Sequence, residues 1–200
     1  MSHRFAEIAF TPNVKKAQEI NGSRRSYARL EQGEVHHDVL GPDEASFIAE
    51  RDSFYMATVS ETGWPYIQHR GGPPGFIRVL DNKTIGFADF RGNRQYVSVG
   101  NLETDDRVSM ILMDYPNRAR LKILGRTRLV ELDEQDTLNR LSLPDYRAVV
   151  ERGFVITIEA FDWNCPQHIT PRFTPAEIET AVAPLRQRVA DLEKMLDEKP

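Results

Sequence analysis

Between Phe54 and Asp162 the chain is cut into seven short runs with the two-residue period of β-strands, most of them stopped by turn chemistry. The runs are Phe54–Ser60, Tyr66–Arg70, Ile77–Leu80, Thr84–Phe90, Arg107–Asp114, Arg120–Leu132 and Gly153–Asp162. Glu61-Thr62-Gly63-Trp64-Pro65 joins the first two and Asp81-Asn82-Lys83 the next two, which predicts two β-hairpins. Two helical stretches interrupt the strands: Asn93–Asn101, and Asp133–Glu151 broken by Pro144. Many short strands with tight connections favour a closed or nearly closed antiparallel barrel, because closure removes exposed edges. In Arg107–Asp114, Val108, Met110 and Leu112 alternate with Ile111 and Met113, which predicts a strand buried on both faces.

The flanks have a different character. Residues 1–40 are polar and mixed, with a turn signal at Asn21-Gly22-Ser23 and the pair His36-His37, and are expected to form an arm outside the core. Pro42, Asp43 and Glu44 open a short amphipathic helix that leads into the main domain, residues 41–172. In the tail, 173–200, Ile178, Val182, Leu185, Val189, Leu192 and Leu196 recur at alternating steps of four and three, the spacing of a heptad seam. Pro184 predicts a break there, with a helix ending near Ala183 and a second one starting at the proline. Packing of this stripe on its own barrel and pairing with a second subunit both satisfy the spacing.

A net charge of -4 argues against a general nucleic-acid or anionic-membrane binder. Cys165 is the only cysteine, so neither an internal disulfide nor a multi-cysteine metal site is expected, and a reducing cytoplasm fits. No run of about 18 apolar residues is long enough to span a bilayer.

Four blocks carry candidate chemistry. In Phe87–Asn101 a strand runs into Arg91-Gly92, and Asn93 is read as the N-cap of a helix with Arg94 and Gln95 in its first turn. Backbone N–H groups together with Arg91 and Arg94 suit a phosphate monoester; pairing of both arginines with surface carboxylates is the competing account. Arg120, Lys122, Arg126 and Arg128 share one face of a strand; the last two are expected in solvated ion pairs, the first two at a ligand edge. Gln68-His69-Arg70 leads into Gly71-Gly72-Pro73-Pro74-Gly75, either a rigid loop beside a ligand or a corner of the barrel. Asn164-Cys165-Pro166-Gln167-His168 follows the last strand and reads as a loop that caps a pocket; nothing marks a third group that would make Cys165 a nucleophile.

FADFRGNRQYVSVGNL followed by DDRVSMILM resembles the pyridoxamine 5'-phosphate oxidase family and its FMN-binding split barrels. QHRGGPPGF, MDYPNRARLKILGR and NCPQHI are similar to a branch described as predicted flavin-nucleotide-binding proteins. The resemblance covers roughly residues 45–172 and implies a mainly β (α+β) fold, a six- to seven-stranded antiparallel split β-barrel with peripheral helices and a C-terminal helical tail. It also implies a homodimer with FMN at the subunit interface. Asp89, Asn93, Arg94 and Gln95 would lie at the phosphate end, Gln68, His69 and Arg70 beneath the ring, and Arg120 with Lys122 on the strand lent to the partner. Arg91 would add charge at the phosphate, and Gln167 or His168 would close the pocket. Gln95 stands where the family's oxidases carry lysine, and their C-terminal Arg-x-His motif is absent, so vitamin B6 oxidation is not expected. The expectation is an FMN-dependent oxidoreductase acting on another small molecule with a small electron donor and acceptor; a non-catalytic flavin or heme carrier is the alternative.

Overall fold

The computed structural model describes residues 3–31, 36–163 and 165–197; Asn164 of the proline-flanked loop lies outside them. Contacts group the chain into two compact units, one of residues 1–113 and 120–165, the other of 114–119 and 166–200.

In the larger unit the sequence period sets the strands. They are β1 (Ser53–Val59), β2 (Pro65–Gly71), β3 (Arg78–Asp81), β4 (Thr84–Phe90), β5 (Arg107–Asp114), β6 (Ala119–Val130) and β7 (Val150–Trp163). All seven form one antiparallel sheet in the order β2-β1-β5-β6-β7-β4-β3, with both expected hairpins present. β1 and β4 stand four strands apart in that order, roughly 19 Å if the sheet were flat. Yet the rings of Phe54 on β1 and Phe87 on β4 lie 5.1 Å apart, so the sheet curls onto itself around an aromatic core. Phe154 stacks on Phe87 at 4.9 Å and Phe76 on Phe54 at 5.7 Å; all four rings are buried.

The strand buried on both faces is β4, not β5 as the alternating apolar residues predict. A helix, α6 (Gln135–Leu141), covers the back of β4, and a Cβ on Gly86 would stand only 2.8 Å from Leu141 Cδ2. On β5, Arg107 and Ser109 are exposed and Ile111 and Met113 only half-buried. The glycine–proline loop after β2 is explained by packing. A Cβ on Gly72 would meet Phe76 at 2.8 Å, and Gly75 has a φ of 82°, so the glycines let Phe76 fold back under the barrel.

The N-terminal segment forms three helices, α1 (Arg4–Ala9), α2 (Pro12–Ile20) and α3 (Arg24–Leu30), and α4 (Pro42–Ala49) leads into β1. Ala6 of α1 and His3 before it are buried, so this part of the segment contributes to the core it was expected to avoid. Main-chain bonds anchor it: Arg4 N–H donates to His36 O at 2.9 Å and Phe161 N–H on β7 to His37 O at 2.8 Å. The imidazoles of His3 and His37 stack at 4.2 Å. Burial, and then His37, push the His3 imidazole below its ordinary value of 6.5, while Asp162 at 3.8 Å pulls it up and Lys122 adds a small downward push. Because the folded-state value is depressed, the contribution of neutral His3 to docking is complete above about pH 6.5 and is lost as pH falls through the lower folded value. Protection factors of the α1 amides, which correct for the intrinsic slowing of exchange toward acid, should therefore fall between pH 7 and 5, while those of the β7 amides paired with β4 stay high; equal behaviour of both would refute this.

In the smaller unit, the tip 114–119 is held by Asp114, whose carboxylate accepts from Asn117 N–H and Nδ2, both at 3.0 Å. The tail is one helix, α7 (Pro175–Asp197), running through Pro184 without the expected break. The proline removes one donor from the ladder, leaving the Thr180 carbonyl, but this stretch is exposed and water replaces the lost bond. Thr174 starts the helix with reciprocal bonds to Glu177. Among the described residues no helix is long and apolar enough to cross a membrane.

Candidate functional site

β2 ends beside β4 in space although the two strands stand first and sixth in the sheet order. Alternation along β2 turns Tyr66, Gln68 and Arg70 to one side and leaves Ile67 and His69 exposed. Arg70 Nη1 forms an ion pair with the buried Asp89 of β4, and the register of β4 with β7 brings Arg152 opposite Asp89, with Nε 3.6 Å from its carboxylate. Burial pushes the Asp89 carboxyl above its ordinary range, against the opposing pull of Arg70 and Arg152. The Nε groups of Arg70 and Arg152 are buried with no hydrogen-bond partner among the described residues.

Arg70 and Asp89 form one wall of a cavity of about 220 Å³, lined also by Asn93, Arg94, Gln95, Tyr96, Ser98 and Glu151, with Arg152 behind Asp89. The opposite wall is not the helix N-terminus that the sequence predicts at Asn93. Helix α5 runs only from Val97 to Asn101, and residues 91–96 form a loop with φ of 61° at Arg94 and 53° at Tyr96. Both are left-handed conformations that cost a non-glycine residue energy and that cluster at functional sites. The loop is held locally. Asn93 Oδ1 accepts from Gln95 N–H at 3.1 Å, Arg94 Nε donates to Tyr96 Oη at 3.1 Å, and Tyr96 donates to Glu151 at 3.3 Å. Arg91 donates to Glu151 at 2.9 Å and holds that carboxyl below its usual range. Ser98 Oγ, at the start of α5, donates to Gln68 Oε1 at 3.1 Å.

Three arginines (70, 91 and 152) thus pair with two carboxylates (Asp89 and Glu151), and Arg94, bonded to Tyr96, adds a fourth cation; the excess of positive charge sits around the cavity, on Arg91 at its rim and Arg152 behind Asp89. Such a cluster suits an anion, and a phosphate monoester would match both the charge and the guanidinium donors. Among the described residues, no histidine, cysteine or methionine lines this cavity.

Of the residues proposed from sequence, Gln68, Arg70, Asp89, Asn93, Arg94 and Gln95 line this cavity, and Arg91 stands at its edge through Glu151. His69 lines an adjoining depression with Arg70, Phe87 and Gly92. Lys122 lies elsewhere. Its Nζ is 2.6 Å from Asp162 and 4.6 Å over the ring of Phe5, lining a cavity of about 250 Å³ with the N-terminal helices. Arg120 Nη2 donates to the Cys165 carbonyl at 3.4 Å, and Cys165 is exposed. Arg126 and Arg128 make the expected exposed pairs, with Asp106 at 2.6 Å and Glu134 at 2.9 Å. Gln167 and His168 belong to the smaller unit, where His168 has a φ of 63°. Tyr96, Ser98, Glu151 and Arg152 were not singled out from sequence. Only the pairing of Asp89 with Arg152 across β4 and β7 marks the last of them.

A family model described as Pyridoxamine 5'-phosphate oxidase matches residues 41–154. No curated protein matches. Among solved structures, HupZ from Group A Streptococcus is 14% identical with a TM-score of 0.48, over 67% of this chain and 99% of its own. General Stress Protein 26 from Bacillus anthracis is 14% identical with a TM-score of 0.42, over 66% and 95%. HutZ, a heme storage protein from Vibrio cholerae, is 18% identical with a TM-score of 0.40, over 62% and 94%. The family match takes in every strand from β1 to β6, the start of β7 and the whole arginine-lined cavity, and the chain belongs to the pyridoxamine 5'-phosphate oxidase family of split barrels.

Proposed function

We propose that this protein binds FMN non-covalently with its phosphate in the arginine-lined cavity, and that it works as an oxidoreductase on a small molecule other than pyridoxamine phosphate. The observation that carries this reading is the buried Arg70–Asp89–Arg152 cluster, whose two Nε groups make no hydrogen bond among the described residues and whose two cations share one carboxylate. These residues fit the group. Arg94, Asn93 and Gln95 would hold the phosphate, Arg91 would add to the field from the rim, and Gln68 and Arg70 would address the polar edge of the ring, with His69 behind them. Bound FMN supplies the hydride chemistry, while the protein orients it and tunes it by hydrogen bonds. Asp89 keeps Arg70 in place, and Ser98 does the same for Gln68.

A cavity of about 220 Å³ is smaller than the roughly 300–1,000 Å³ of sites for drug-sized ligands, which supports a homodimer whose second copy completes the pocket. Arg120 is the side chain of β6 that we assign to the partner's pocket, since Lys122 is held by Asp162. Gln167 and His168 are assigned to its closure on the strength of the family pattern. The exposed thiol of Cys165 suits a reducing cytoplasm.

Titration of the protein into FMN should quench flavin fluorescence, and bleaching of the complex by NADH or NADPH without oxygen would mark an enzyme, not a carrier. Arg94→Ala is expected to weaken FMN at least about tenfold while riboflavin, which lacks the phosphate, is unaffected. Equal losses for the two flavins would remove Arg94 from the phosphate site.

A further inference from the structure

The apolar stripe of α7 has no cover among the described residues: none of the helix is buried, and Ile178, Leu185, Val189, Leu192 and Leu196 are 43 to 67% exposed. We propose that α7 pairs with α7 of a second copy as a parallel, in-register, two-stranded coiled coil. The steps of the stripe define the register, with Val182, Val189 and Leu196 at a and Ile178, Leu185 and Leu192 at d. A period of 3.5 residues is that of two helices supercoiled on one another, whereas a helix on a sheet is served by a broader 3.6-residue face. β-branched residues at a with leucine at d select two parallel strands, and Val182 and Val189 alternate here with Leu185 and Leu192.

The flanking charges carry the same orientation. In a parallel pair a g residue meets the e residue of the next heptad on the partner, which sets Arg188 of each helix against Glu193 of the other. Within their own helix Glu179 pairs with Arg186 at 2.5 Å and Gln187 bonds Asp191 at 2.9 Å. No hydrogen bond or ion pair engages Arg188 or Glu193 among the described residues, so their complementary charges are left for a partner. Pro184 falls at c, on the outside of such a pair, where the loss of its N–H is met by water. The seam is self-complementary about a two-fold axis, which gives a closed dimer and no open chain of copies.

The test uses the full-length protein with Cys165→Ser. Leu192→Cys at d is then expected to form a disulfide-linked dimer under mild oxidation at least about tenfold faster than Gln187→Cys at f. An antiparallel pair, or a helix seated on its own barrel, does not bring two copies of position 192 together, so equal or absent cross-linking would overturn the proposal. In the Leu192→Cys background, Arg188→Glu or Glu193→Arg alone should slow cross-linking about threefold or more at low salt, and the two together should restore it. Loss without restoration would overturn the parallel register. The coil does not depend on the flavin reading: FMN fluorescence, read on the same variants, reports that site separately.

Discussion

Phe154→Ala is expected to lower the stability of the protein by about 3 to 5 kcal/mol, the cost of deleting a buried aromatic ring and leaving a cavity. Phe154 is fully buried, stacked on Phe87 at 4.9 Å with its ring only 8° from parallel, and Phe87 in turn joins β4 to Phe54 on β1. The same ring carries the candidate site, since the Arg70 guanidinium sits 5.1 Å from its centroid. Loss of the ring removes packing from the core and the support beneath Arg70, so FMN affinity should fall together with stability. Urea denaturation followed by fluorescence checks the first effect, with an unchanged denaturant slope showing that the unfolding transition is the same. Tyr55→Ala, on the more exposed side of β1, is the control and should cost well under 1 kcal/mol. A cost for Phe154→Ala no larger than that of the control would mean that the aromatic stack does not hold the sheet in its curl.

The second large effect is at Arg70. Its side chain is 14% exposed and that of Asp89 is 7%, so Arg70→Ala strands a buried carboxylate with Arg152 as its nearest cation at 3.6 Å. Breaking a buried pair from one side costs about 3 to 5 kcal/mol, because the remaining charge keeps its desolvation penalty. Arg152 places the expectation at the lower end of that range. If this account holds, Arg70→Ala with Asp89→Asn should be more stable than Arg70→Ala alone, because the amide carries no charge to strand. A double-mutant cycle over Arg70 and Asp89 measures this coupling. Additive losses would show that the pair is not coupled and that the excess positive charge of the cavity has another origin. FMN affinity should drop in both variants, since both lack the Arg70 guanidinium that lines the cavity.

How far the site was legible follows from which contacts are local. Gln68 and Arg70 lie on one face of β2, and Asp89 to Gln95 are contiguous, so the two-residue period and the run of basic and amide residues bring them out directly. Arg152 and Glu151 join the site only because β4 and β7 pair in a register that sets Asp89 against Arg152, and no local signal carries a register. The reading of Asn93 as an N-cap fails because the chain between Gly92 and Tyr96 spends two residues in left-handed conformations before α5 begins. Those conformations are held by contacts to Glu151, which belongs to another strand. The glycine–proline loop has a similar history. Its composition is equally good for a ligand loop and a corner, and only the return of Phe76 against Gly72 decides that packing explains it.

By itself, then, the sequence determined the seven strands apart from the start of β7, where Val150 and Glu151 read as helix, together with the two hairpins, the heptad stripe of the tail and the concentration of cationic side chains after β4, because each of these follows from spacing along a continuous segment. The tertiary structure alone decided that β4 and not β5 is buried on both faces, that α1 docks through His3, and that Arg70 and Arg152 share one carboxylate. It also separated Lys122 from the arginine cavity. The physical reason is common to all of them. Burial of a charge or a strand face depends on which distant segment covers it, and that choice is made by the collective packing of the core, not by the residues on either side in the chain.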